Sequence, residues 1–182
     1  MGPEALAVVS VEEFWRLAHR LPRAELVGGQ VVEMAPPGFR HGAITAALLR
    51  TLHEFVTTQD LGVTVAETGF VLSSDPPTVR APDVAVVLRS RLPSPPPAGF
   101  FFGPPDLAVE VLSPDDRPAE VAAKVADYLR AGAAAVWVVD PESRTVTVHT
   151  RSGATRYAAQ EAVDGAPVLP GLHLPVGPLL AG

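Results

Sequence analysis

A chain of 182 residues is one domain's worth, and 47% hydrophobic against 19% charged residues predicts a globular fold, not a disordered chain. The lack of cysteine excludes disulfides, thiolate zinc sites and a cysteine nucleophile, so any metal has to be held by oxygen or imidazole. A formal charge of -6 argues against attachment to nucleic acid by bulk electrostatics, and no apolar run nears the ~20 residues of a membrane span. With no basic, cleavable leader at the start, a cytoplasmic protein with no membrane partner is expected.

Ser10 followed by Glu13 reads as a capping box that opens a short helix, SVEEFWRLAHR, with Val11, Phe14, Trp15 and Leu17 inward and Pro22 beyond its end. AELVGGQVVEM reads as a hairpin turning at Gly28-Gly29. From Arg40 to about Thr58, Ile44, Leu48, Leu52 and Phe55 recur at helical spacing. Three β-rich runs follow, LGVTVAETGFVL, RAPDVAVVL and PDLAVEVL, the last two separated by a proline-rich loop. That loop carries Phe100, Phe101 and Phe102, more aromatic surface than a solvated linker tolerates, so it is expected to pack on the body or on a second subunit.

Residues 117–131 read as a helix ended by Gly132, AAVWVVD as a buried strand, TVTVHTR with ATRYAA as a closing hairpin, and the apolar tail PVLPGLHLPVGPLLAG as an extended segment along the body. The order helix, strand, strand, strand, helix, strand predicts an α/β (α+β) fold with a mixed sheet flanked by helices. The whole of 1–182 is expected to be a single domain: helix and hairpin in 1–38, core in 39–140, closing hairpin and tail in 141–182.

Acidic side chains inside apolar strands are the anomaly, because a buried carboxylate costs several kcal/mol unless it is paired or bound to a metal. In PDLAVEVL the two-residue period puts Asp106, Ala108, Glu110 and Leu112 on one face, against Leu107, Val109 and Val111 on the other. Asp83 follows Pro82 at the start of an apolar strand, and Glu67 shares a face with Val63 and Val65 just before Gly69, a candidate bulge. Carboxylates facing the same way on neighbouring strands would suit Mg²⁺ or Mn²⁺.

The plainer reading has Asp83 bonded to a nearby backbone amide and Glu110 paired with a cation. Lys124 flanks the buried face of its helix beside Val121 and Tyr128, where it could orient an attacking water or face a phosphate; its plainer reading is an exposed Glu120-Lys124 pair. His41 starts the buried stripe of the long helix, either as a packing residue or as part of an active-site wall. The remaining arginines form no run, and no phosphate-cradling glycine loop, G-x-S-x-G or H-E-x-x-H motif is present.

Pro82-Asp83, Glu110-x-Leu112 and Lys124 resemble the motif of the PD-(D/E)xK nuclease superfamily. Over nearly the whole chain, ELVGGQVVEMAPPGFRHG, ETGFVL, VRAPDVAVV, PPDLAVEVLSPDDR, K-x-x-x-Y-L-x-A-G and VWVVDPESRTVTVH resemble the Uma-two family of restriction-endonuclease-like proteins. The resemblance implies a restriction-endonuclease-like core. It also implies Asp83, Glu110 and a backbone carbonyl near Val111 as metal ligands, with Glu67 an additional acidic member. Leu112 stands where the motif lysine would be, and the resemblance implies that Lys124 supplies that amine from the following helix.

The expected function is therefore a Mg²⁺- or Mn²⁺-dependent endonuclease hydrolysing DNA phosphodiester bonds, most easily as a homodimer. In it Asp83 and Glu110 bind metal, Lys124 positions water, and Glu67 or His41 assists. The competing readings are a non-catalytic nuclease-like binding or assembly module and a hydrolase of small phosphoesters. A convergent, open site favours an enzyme, and sealed, mutually paired residues favour the module.

Overall fold

Gly28 and Gly29 both adopt positive φ, 57° and 78°, the backbone of a two-residue type I′ turn that L side chains resist. They join β1 (Ala24–Val27) to β2 (Gln30–Glu33) in register, with Val27 opposite Gln30. The computed structural model describes residues 8–21 and 23–181, so the expected helix stop at Pro22 lies outside the described residues. Before the hairpin, α1 (Val11–Ala18) opens with both hydrogen bonds of the Ser10/Glu13 capping box. Its Val11 and Phe14 are buried, whereas Leu17, expected inward, is exposed.

After Gly38 the chain enters α2 (Phe39–Thr58). Its buried stripe is His41, Ile44, Leu48, Leu52 and Val56; Phe55 packs at the border of the core and Val56 takes the place expected of it. The run LGVTVAETGFVL does not form one strand. It breaks at Glu67, whose φ is 47°, into β3 (Gly62–Ala66) and β4 (Phe70–Ser74), which belong to different sheets. Gly69 is no bulge, since the irregularity lies between Val71 and Ser73. A Cβ at Gly69 would instead fall 2.3 Å from the Phe100 ring, so the absent side chain makes room for that aromatic.

β5 (Pro77–Arg80) returns beside β4, and the run RAPDVAVVL is likewise divided, with Arg80 closing β5 and Val84 opening β6 (Val84–Leu88). Then come β7 (Phe101–Phe102), β8 (Leu107–Val111), α3 (Pro118–Ala131), β9 (Ala135–Asp140), β10 (Thr145–Thr150), β11 (Gly153–Ala158), β12 (Ala162–Asp164), β13 (His173–Pro175) and α4 (Val176–Leu179). Proline at the start of α3 and left-handed Gly132 after its end bound that helix where the sequence places it.

The single mixed sheet expected is resolved into two larger sheets and a ribbon. The six-stranded sheet runs β11-β10-β9-β8-β6-β3, with β8 parallel to β9 and its other pairs antiparallel. The five-stranded sheet runs β2-β1-β5-β4-β7, and β12 pairs with β13. The helix-strand-strand-strand-helix-strand order survives as α2, β3, β6, β8, α3, β9, with the β4–β5 hairpin and the short β7 inserted.

Leu107, Val109 and Val111 of β8 pack with Ile44, Leu48 and Leu52 of α2. Burying each such side chain contributes roughly 1.5–3 kcal/mol, so this face anchors α2. Ala108 packs on the opposite face with Val125 and Tyr128 of α3. The apolar tail is not simply extended: Leu174 lies in β13, Val176 and Leu179 in α4, and all three join the core under α2. Phe100 stacks on Phe14 and meets Trp15 edge-on, Phe101 tilts against Phe70, and Phe102 remains exposed. Two of the three phenylalanines therefore pack on the body of the chain itself.

Candidate active site

The face of β8 that carries Ala108 also carries Glu110, and it lies under α3. Continuing the β6–β8 register one step beyond Val84–Val109 sets Asp83 opposite Glu110. Lys124 and Tyr128, one turn apart on α3, both reach Glu110: Lys124 Nζ lies 3.4 Å from Oε2 and the Tyr128 hydroxyl donates to Oε1 at 2.9 Å. Lys124 is thus turned toward the sheet and does not form the exposed pair with Glu120.

Asp83 is only 2% exposed. Its Oδ1 accepts from Arg23 at 2.8 Å, and its Oδ2 accepts from the Val111 amide at 2.7 Å and lies 3.2 Å from His41 Nε2. His41, at the first turn of α2, therefore enters the site across the strand end. Glu67 stays at the rim, more than half exposed, with Arg23 3.7 Å away. Asp83, Glu110, Lys124, His41 and the Val111 backbone are brought together, and Glu67 touches the group only through Arg23.

These contacts set the ionisation of the site. Burial opposes the charge on Asp83, but His41 and the Val111 amide outweigh it and hold the carboxyl below the usual aspartate range. The same hydrogen bond raises His41 above the ordinary histidine value, against burial and the neighbouring Arg23. Burial pushes Glu110 up to about 7; Lys124 and Tyr128 oppose the rise, while the Glu25 and Asp83 charges add to it. Burial likewise drives the Tyr128 phenol well above its normal value, helped by the Glu110 charge. Burial pulls Lys124 down, but Glu110 and Glu25 more than restore its proton, so at neutral pH it is an ammonium ion and not a nucleophile.

Several members of the site escaped sequence reasoning. Glu25 of β1, 1% exposed, accepts from Arg80 at 2.7 Å and from the Ala81 amide at 3.1 Å, and lies 3.4 Å from Lys124. Arg80 in turn donates to Asp127 of α3. Glu25 lies between Ala24 and Leu26, an acid among apolar strand neighbours like Glu110, and that is its signal in the sequence. A second signal was also present: Lys124 is the only lysine in a sequence whose other thirteen Lys/Arg positions are arginine.

A cavity of about 450 Å³ opens between the hairpin and α3. Glu25, Arg80, Glu110 and Lys124 line it, together with Val32, Met34 and Val121. A second cavity, about 670 Å³, lies beside His41, and both are lined by Leu112 and Asp116 of the β8–α3 loop. Among the described residues no cluster of three or more His, Asp or Glu side chains is spaced to hold a metal ion. The donor chemistry still fits Mg²⁺ or Mn²⁺: two carboxylates and the adjacent Val111 backbone are hard oxygen ligands, and Mg²⁺ is commonly held through one or two carboxylates while keeping several waters.

The fold is a mixed α/β architecture in which Asp83, just before β6, and Glu110 of the adjacent β8 meet a lysine from the next helix. Structural comparison agrees on the fold. A crystal structure described as a putative nuclease belonging to DUF820 from Anabaena variabilis superposes with a TM-score of 0.81 at 23% identity, over 94% of this chain and 97% of that one. Residues 11–177 match the Uma2 family, described as "Putative restriction endonuclease", and the chain belongs to that family. No curated protein matches the sequence. Among the described residues no helix is long and apolar enough to cross a membrane.

Proposed function

We propose that this protein is a metal-dependent endonuclease that hydrolyses DNA phosphodiester bonds at the cavity between the β1–β2 hairpin and α3. The observation that carries the reading is the convergence of Asp83, Glu110 and Lys124 from three separate elements, with Lys124 Nζ 3.4 Å from Glu110. Asp83, Glu110 and the Val111 carbonyl would hold Mg²⁺ or Mn²⁺, which supplies charge neutralisation and a more acidic water when bound. Lys124 orients the water and faces the phosphate as a point charge. His41 and Arg23 fix the Asp83 carboxylate, and Glu67 with Arg23 borders the approach to the site. Because the chain is net acidic, the charge that meets the backbone is local, and a homodimer would present one site to each strand.

One observation favours a second reading, a non-catalytic binding module: Asp83 and Glu110 are 2% and 7% exposed and both are fully partnered.

Cleavage of supercoiled plasmid, of single- and double-stranded oligonucleotides and of a small phosphodiester, with Mg²⁺, Mn²⁺ or EDTA, separates the two. Metal-dependent cutting that is lost in Asp83→Ala, Glu110→Ala and Lys124→Ala supports the nuclease. Wild type as inert as its variants, with no calorimetric Mg²⁺ or Mn²⁺ binding dependent on Asp83 and Glu110, leaves the module. Turnover of the small phosphodiester alone shifts the substrate class.

A further inference from the structure

We infer that Glu25 is a positioning residue for Lys124: from a hairpin outside the helix-strand core, it holds the ammonium beside Glu110 and turned toward the cavity. The inference rests on the nuclease reading for its kinetic part and on geometry for the rest.

Lys124 Nζ is 3.4 Å from Glu25 Oε1 and 3.4 Å from Glu110 Oε2, so the ammonium is shared between two buried carboxylates. Lysine has three rotatable N–H donors around one compact charge: one donates to Glu110, Glu25 lies at ion-pair distance, and the ammonium still borders the cavity that Lys124 lines. Arginine holds its donors in one rigid plane, as where Arg80 reaches Glu25 with Nη1 and Asp127 with Nε and Nη2, whereas the compact ammonium turns its donors to suit carboxylates on different elements. That difference gives a reason for the one lysine in a chain that otherwise uses arginine.

Glu25 is itself fixed. Arg80 takes Oε2 at 2.7 Å and the Ala81 amide donates to Oε1 at 3.1 Å, two residues before Asp83. Arg80 is anchored by Asp127, four residues before Ala131 at the end of the helix that bears Lys124. A carboxylate held by these two contacts is a fixed point against which the flexible four-carbon stem of Lys124 is set. The hairpin thereby completes a site whose other members come from the core.

The single lysine makes the test direct. Protein labelled with ¹⁵N-lysine gives one side-chain ammonium signal, and its position and solvent exchange are compared in wild type, Glu25→Gln and Glu25→Asp. The Asp variant keeps the charge facing Arg80 but withdraws the carboxylate from Lys124 by one methylene, and it carries the test if the Gln variant does not fold. The expected result is a shifted, faster-exchanging lysine signal, with kcat per folded molecule down about 10- to 100-fold and KM held. An unmoved lysine signal in a folded variant overturns the inference, as does unchanged kcat beside a moved signal. If the wild-type protein cuts nothing, the nuclease reading fails on its own account and the lysine signal alone decides whether Glu25 holds Lys124.

Discussion

Lys124 and Tyr128 grip opposite oxygens of one carboxylate, Oε2 and Oε1 of Glu110, from successive turns of α3. Helix and central strand are thus joined by polar contacts at the one place on that face where an apolar side chain would have packed. Burial raises the Glu110 carboxyl to about 7 against both of these contacts, and this has a measurable consequence for stability.

A carboxyl raised from 4.5 to about 7 holds its proton in the folded protein over a range in which the unfolded chain has lost it. Folding therefore binds protons there, and stability falls as pH rises from about 4.5 to about 7, by on the order of 3 kcal/mol from this group. Glu110→Gln should flatten that slope. Urea denaturation across this range in EDTA checks it; an unchanged slope in the variant contradicts the prediction.

His41 and Asp83 bear on the same measurement with opposite limits. The raised His41 contributes stability that is complete below its unfolded value of 6.5 and is lost as pH climbs through its folded value. The depressed Asp83 contributes stability that is present above 3.8 and is lost as pH falls through its lowered folded value. The pair is thus most stabilising between these limits. His41→Gln should cost more stability at about pH 5 than at about pH 9, and equal losses at the two would show that the His41 proton is not held by Asp83.

Arg80 serves two buried acids, Glu25 and Asp127, and its own side chain is only 7% exposed. Arg80→Met removes the charge while keeping an apolar stem, and leaves Glu25 buried with Lys124 as its remaining cation. A loss of about 3–5 kcal/mol is expected. The denaturation midpoint reads it directly, and a change below about 1 kcal/mol would mean that water replaces the guanidinium.

Gly69→Ala should destabilise by about 1–3 kcal/mol, because its new Cβ would stand 2.3 Å from the Phe100 ring. Adding Phe100→Leu should recover part of that loss, so the double variant is less destabilised than the sum of the singles. Additive losses would place the strain elsewhere.

Where the chemistry of a segment was local, the sequence was legible. The capping box, the Gly28-Gly29 turn, the α2 stripe and the bounds of α3 each follow from residues within one or two turns of each other. The division of two β-rich runs between separate sheets did not show, because the break at Glu67 uses a backbone conformation that its side chain does not advertise. In the site, Asp83, Glu110 and Lys124 stood out as polar residues in apolar settings, and His41 as a member of a buried stripe. Arg23, Glu25 and Arg80 become neighbours of these residues only when the hairpin folds against the core, and no local pattern records that contact.

The separations along the chain say something about timing. Arg23 meets Asp83 across 60 residues, Arg80 meets Glu25 across 55, and Asp83 meets the Val111 amide across 28. Such distant pairings cost the most loop entropy and form late. A chain still emerging from the ribosome, or one partly unfolded, therefore lacks the assembled cluster altogether. If the cluster cuts DNA, its danger to the cell that makes it is confined to finished molecules, and competence becomes a property of complete folding instead of a separate activation step.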